Sequence, residues 1–164
     1  MNLQGLLHFC GNRNLGGLVI VEYAPVDWID TSQYEPMRSN TGNWLYAIPF
    51  SSGDWLKMPL LPSGKTWEEN SARRNQGGRF NGQVAGTVPR LQPAASYELQ
   101  QMEELDFLVK LQDRNGQPWL LGTLEAPLRF KADAGTADEN GLNSYRIQFL
   151  SQSKQRAAGY APIY

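Results

Sequence analysis

Along the chain, apolar positions fall into short runs with a period of two, punctuated by glycine, proline and asparagine. Residues 18–23 (LVIVEY) form a β-branched run ahead of Pro25 and predict a first core strand. In 43–50, Trp44, Tyr46, Ile48 and Phe50 alternate with smaller or polar neighbours, which predicts a strand covering a core with one face. Trp55, Leu56 and Met58 predict a further short strand that ends before Pro59 and Pro62, because proline has no N–H to give to a central ladder. The stretch 78–88 sets Phe80, Gly82, Val84, Gly86 and Val88 on one side and Arg79, Asn81, Gln83, Ala85 and Thr87 on the other. One long, weakly apolar strand is the favoured reading, and a hairpin turn at Asn81-Gly82 is the alternative.

The period then changes. Pro93 stands where a first helical turn tolerates it, and Ala95, Leu99, Met102 and Leu105 fall at helical spacing, which predicts one α-helix over about 93–105. It leads into "DFLVKLQDRNGQPWLLGTLEAPLRF", where two apolar runs flank Asp113-Arg114-Asn115-Gly116. Asn-Gly readily takes positive φ at both central positions of a tight turn, so Asn115 and Gly116 are the predicted structural turn of a hairpin. A glycine-rich connection, "ADAGTADENG", joins a strand around Leu128 and Phe130 to one at 144–150, in which Tyr145, Ile147 and Phe149 share a face. The closing "AAGYAPIY" reads as an extended tail outside the core. No repeat of fixed period and no dividing linker is present, so 1–164 reads as one β-rich domain with an extended N-terminal segment.

Composition narrows the function classes. With 164 residues and 41% hydrophobic content the chain can bury one well-formed core. A formal net charge of −1 lacks the basic excess of a dedicated nucleic-acid binder. The start, "MNLQGLLHFCGN", has no basic leader, and no apolar run approaches the roughly 20 residues of a membrane helix. The expectation is a soluble chain that is neither secreted through a signal peptide nor inserted in a membrane.

Candidate chemistry is sparse. "CGNRNLGGLVIVEYAP" (10–25) is glycine-rich, but its glycines precede a strand, no Gly-Lys-Ser/Thr follows and no helix opens, so it reads as a loop leading into a strand and not as a phosphate cradle. His8 and Cys10 are the sole histidine and cysteine, too few for a closed metal site or a triad, and they read as packed side chains. Glu68-Glu69 and Glu103-Glu104 are adjacent acids that diverge in space, and they read as solvated faces. The expectation is no catalytic residue, no metal and no cofactor.

Two features point to an interface. Of five tryptophans, Trp44 and Trp119 sit in apolar strand patterns and read as core, while Trp28, Trp55 and Trp67 stand among turn residues and are candidates for a surface, with a subunit contact favoured over a ligand. No acidic residue lies between Asn70 and Tyr97, where Arg73, Arg74, Arg79 and Arg90 fall, whereas the following helix carries Glu98, Glu103, Glu104 and Asp106. Complementary patches of this kind suit head-to-tail or ring assembly; ordinary solvated charge is the alternative. Arg73 and Arg74 join the three tryptophans as candidate subunit contacts.

From the helix onward, "YELQQMEELDFLVKLQDRNGQPWLLGTLEAPLRFKADAGTADENGLNSYRIQFL" resembles a group of phage and prophage tail structural proteins found especially in phages of Bacteroidetes bacteria, and "CGNRNLGGLVIVEYAPVDWI" is similar to the start of that group. The shared features are turn chemistry and strand patterns, and residues 31–75 match none of them. The resemblance implies a tail-tube-like or tail-connector subunit with an antiparallel β-sandwich or barrel flanked by one helix, in an architecture similar to the type VI secretion tube. It further implies partners: copies of itself in a ring, sixfold by analogy, other tail proteins, and DNA passing without specific contacts through a lumen. The implied location is the phage tail, with the host cytoplasm during assembly. A carbohydrate- or receptor-binding β-module is the alternative, and a small carboxylate hydrolase is a weaker one.

Overall fold

The computed structural model describes residues 15–74, 77–136 and 141–161. Its elements in chain order are β1 (Leu18–Pro25), a single 3-10 turn (Val26–Trp28), β2 (Asn43–Trp44), β3 (Leu56–Lys57), β4 (Thr66–Arg74), β5 (Gly77–Pro89), α1 (Pro93–Met102), β6 (Asp106–Asp113), β7 (Pro118–Leu121), β8 (Leu128–Gly135), β9 (Ser144–Ser153) and β10 (Ala158–Tyr160). The fold is mainly β with one α-helix. Strand pairs are antiparallel except β10 with β2, which run parallel.

A closed barrel follows from the pairing. β6 pairs with β1 along one edge and with β7 and β8 in succession along the other. β8 pairs with β9, β9 with β5, and β5 with β4. The chain between β3 and β4 completes the circuit: β3 pairs with β1, the Met58 amide donates to the Val21 carbonyl at 2.9 Å, and the Leu61 amide donates to the Thr87 carbonyl at 2.8 Å. Closure covers the edge of β1 and the part of β5 around Thr87, while the outer edge of β4 carries no strand among the described residues.

Alternation along each strand fills this barrel. Val84 and Val88 from β5, Phe107, Val109 and Leu111 from β6, Phe130 from β8, and Tyr145, Ile147 and Phe149 from β9 share one core with Leu18, Val21 and Met58. Gly86 has no side chain because Leu60 lies against it: a Cβ there would stand 2.7 Å from a Leu60 methyl. The helix packs Leu99, with Ala95 and Met102 beside it, on the same core. Its first turn is tied down by Tyr145, whose hydroxyl accepts from the Gln92 amide at 3.1 Å and donates to the Gln92 carbonyl at 3.0 Å.

A second core lies on the outside of the barrel wall. Leu108 and Leu120, on the faces of β6 and β7 that point away from the barrel, join Ala158 and Tyr160 of β10, and the chain between β1 and β3 folds over them with Ile29, Trp44 and Ile48.

The structure upholds 78–88 as one strand, since Asn81 pairs with Asn70 on one side and Gln152 on the other and leaves no turn there. Five other expectations are corrected. Residues 43–50 are not a strand: β2 stops at Trp44, Tyr46 is 44% exposed, and Pro49 has no N–H to continue a ladder. The Ile48 amide goes instead to the Tyr160 hydroxyl at 3.0 Å. The helix ends at Met102, three residues short of Leu105, which is 37% exposed. The C-terminal stretch is no outlying tail, because Ala158, Gly159 and Tyr160 are buried in a strand between β7 and β2. Trp119 is half-buried where a core position was expected.

The fifth correction concerns the β6–β7 turn. Gly116 has φ of +84° but Asn115 does not share a positive φ, so the tight two-residue turn is replaced by a longer one in which Gly116 alone takes the left-handed conformation. The Gly116 amide donates to the Asp113 carbonyl and the Asp113 amide to the Gln117 carbonyl, each at 3.1 Å, the pattern of a type I turn closed by a glycine bulge. Asp113 holds it from within, its Oδ1 accepting from the Asn115 and Gln117 amides.

Candidate functional site

The residues singled out by sequence divide into three places. His8 and Cys10 lie outside the described residues. Trp28 and Trp55 belong to the outer region: the Trp28 ring presses on Gly53, and Trp55 meets Phe50 and Tyr160 edge-on while the Lys110 ammonium sits 5.1 Å from its ring centre. Lys110 is also paired with Glu22 at 2.7 Å. Trp67 is elsewhere, on β4, with its ring 5.2 Å from that of Trp119 and its indole N–H buried without a partner. All three tryptophans are half-buried and engaged within the chain, so none is a bare aromatic platform.

Asn115 and Gly116 do more than turn the chain. The Asn115 side chain accepts from the Leu15 amide at 2.9 Å and donates to the Leu15 carbonyl at 3.4 Å, and the Arg114 amide donates to the Gly17 carbonyl. The glycine-rich lead into β1 is therefore fastened to the β6–β7 turn. No nearby sequence signal announces a contact between positions 100 residues apart.

Arg73 and Arg74 end β4, opposite Gly78 and Gly77. Together β4, β5, β9 and β8 form a four-stranded section of sheet in that order, and its two outer edges differ in charge. β4 pairs only with β5 among the described residues, so its other edge from Thr66 to Arg74 carries no strand. This edge runs into the hairpin end that bears Arg73, Arg74 and Arg79, beyond the last β5–β9 pair at Phe80 and Ser153. At the far edge β8 pairs with β6 only through Leu128 and Arg129, and α1 lies beside the remainder. There Glu103 accepts the Ala132 amide at 2.9 Å, and Glu98, Glu104 and Asp106 are exposed nearby in sequence. Glu98 also acts on Tyr23, whose hydroxyl is held above the usual tyrosine range by burial first and by the Glu98 charge second.

The adjacent acids diverge as their spacing requires. Glu68 is exposed, while Glu69 turns inward and accepts from the Ala157 amide at 2.7 Å and from Arg156 at 3.2 Å, so the expectation of two solvated carboxylates holds for Glu68 alone. Among the described residues, no three His, Cys, Asp or Glu side chains gather into a group able to hold a metal ion. No described helix is long and apolar enough to cross a membrane.

No protein-family model, curated protein or solved structure matches the chain.

Proposed function

We propose that the protein is a non-enzymatic structural subunit that self-associates head to tail, and that its assembly is a ring of the tail-tube or tail-connector kind. The observation that supports this reading most is the pair of dissimilar edges on one sheet section: an unpaired, arginine-ended β4 and an acid-rich border formed by α1 beside β8. Surfaces that differ and complement one another make a heterologous interface, and a heterologous interface generates rings or filaments where a self-complementary one generates a closed pair. Charge complementarity would select the partner edge and speed encounter.

A ring reading also gives β4 a role. An open strand edge is an aggregation hazard unless it is short, covered or charged, and a neighbouring copy would cover it. The mechanism would be geometric: stacked subunits enclose a lumen, and DNA passes it without base-specific contacts. Sixfold symmetry and association with other tail proteins enter from the sequence resemblance alone. Electron microscopy of the purified protein at high concentration tests the proposal. Rings or stacked rings are expected; dispersed single copies at every concentration would overturn it.

A further inference from the structure

A groove of about 560 Å³ opens between the outer end of β5–β9 and the two loops that carry Tyr34 and Thr123–Ala126. That volume lies within the range of roughly 300–1,000 Å³ usual for small-ligand sites. Its wall is aromatic: the Tyr34 and Trp44 rings lie 6.1 Å apart and tilted, one half-buried and one fully buried. The Tyr34 hydroxyl is buried beside the Leu124 backbone.

The rim is polar and cationic. Arg79 donates from Nη1 to Gln152 Oε1 at 3.2 Å, and Gln152 donates from Nε2 to Asn81 Oδ1 at 3.3 Å. This relay orients the exposed guanidinium while leaving other N–H groups to a ligand. Lys154 and Gln155 follow along the same lip, and Glu125 faces the groove from the opposing loop. Thr123 Oγ1 accepts from the Ala126 amide at 3.1 Å, which leaves its proton to donate.

We propose that this groove binds an acidic sugar, a uronic- or sialic-acid-type residue of a glycan. A planar carboxylate suits an oriented guanidinium, which can offer it two parallel N–H bonds, and Lys154 adds a second cation. Ring hydroxyls find both donors and acceptors in Gln155, Thr123 and Glu125, a mixture a simple inorganic anion would not need. The half-buried Tyr34 ring, backed by the buried Trp44, is the aromatic surface that suits the apolar face of a pyranose ring. Arg79 stands opposite Ala72 of β4 and so borders both the groove and the proposed assembly edge, whereas Tyr34, Thr123, Glu125 and Lys154 belong to the groove alone.

Saturation-transfer NMR and calorimetric titration of the full chain with methyl β-D-glucuronide, methyl β-D-glucoside and inorganic phosphate test the assignment. The glucuronide is expected to bind at least tenfold more tightly than the glucoside, and phosphate is expected not to displace it at equal concentration. Arg79→Gln should weaken glucuronide binding tenfold or more with an unchanged melting temperature. Should that variant fail to fold, the exposed Lys154→Gln carries the test, with an expected loss of at least twofold. Absence of any glucuronide signal at about 10 mM, weaker than the millimolar affinity of a minimal site, would overturn the proposal. Equal binding of the neutral glucoside, displacement by phosphate alone, or binding unaffected by these substitutions would overturn it as well.

Discussion

The two hydrophobic cores are built differently from the same kinds of residue. Inside the barrel, most buried side chains come from strands of eight or more residues whose neighbours alternate inward and outward, and the backbone is satisfied by long ladders. Outside it, Ile29, Trp44 and Ile48 come from a segment with a two-residue strand and two isolated bridges among the described residues. That segment is held by side chains: the Tyr160 hydroxyl takes the Ile48 amide, Arg38 donates to the Arg156 carbonyl at 2.7 Å, and the Arg38 guanidinium stands over the Trp44 ring at 5.8 Å. Burial in that setting lowers the Arg38 pKa from its usual value. Regular backbone pairing makes the first core cooperative, while the second depends on a few specific contacts and is expected to open first.

Truncating Phe149 would separate the two most strongly. This side chain is fully buried against Tyr23, Phe107 and Phe130, and Phe149→Ala should destabilise the whole fold by about 3–5 kcal/mol in a denaturant titration. Trp44→Ala removes as much volume from the outer core, but its loss should appear as local opening: hydrogen exchange should quicken at residues 29–50 and at β10 while amides of β5 and β9 stay protected. Equal loss of protection in both regions would merge the two cores into one cooperative unit.

A smaller effect is expected at the turn. Gly116→Val puts a β-branched residue at φ of +84°, and although a Cβ would meet no neighbour there, the backbone strain alone should cost about 1–2 kcal/mol by thermal or chemical melting. An unchanged melting temperature would show that the turn relaxes to another geometry. Removing the Tyr160 hydroxyl, in Tyr160→Phe, should cost about 1 kcal/mol and selectively expose the Ile48 amide to exchange.

The pH dependence should be smallest. Burial raises the folded pKa of Tyr23 and Tyr34 above the ordinary value of 10.0, so their contribution is fully present below that value and is lost as pH rises through the folded value. Melting temperature should therefore fall above about pH 10, and Tyr23→Phe should flatten part of that fall. A profile identical in wild type and variant would remove Tyr23 from the account.

The barrel was legible in the sequence because burial on one face of a ladder writes a period of two into it: 78–88 and 144–150 are examples, and the proline-led helix stands out by its change of period. The outer core was not legible for the same reason. Tyr46 has the right spacing to share a face with Trp44 and Ile48, yet with no ladder under it the spacing carries no direction. The tail at 158–160 looked peripheral because three residues are too few to show a period, and its burial depends on Leu108 and Leu120 emerging on the far side of β6 and β7. The candidate interface was legible as a charge asymmetry. That its two halves border one sheet section required the strand order, which pairs β5 with both β4 and β9. The groove beside Arg79 gathers residues from four separate segments and had no sequence signal.

Sedimentation of the wild type and of Arg73→Glu/Arg74→Glu across protein concentration and salt tests the central claim most directly. The ladder of β4 with β5 is made by backbone groups and does not depend on the side chains at 73 and 74, so both proteins should be folded. The wild type should associate as concentration rises, the double variant should associate less, and the difference should shrink as salt brings the Debye length below roughly 5 Å. A wild type that stays monomeric at every concentration and salt level, or a double variant that assembles as well as the wild type, would contradict head-to-tail assembly through these edges.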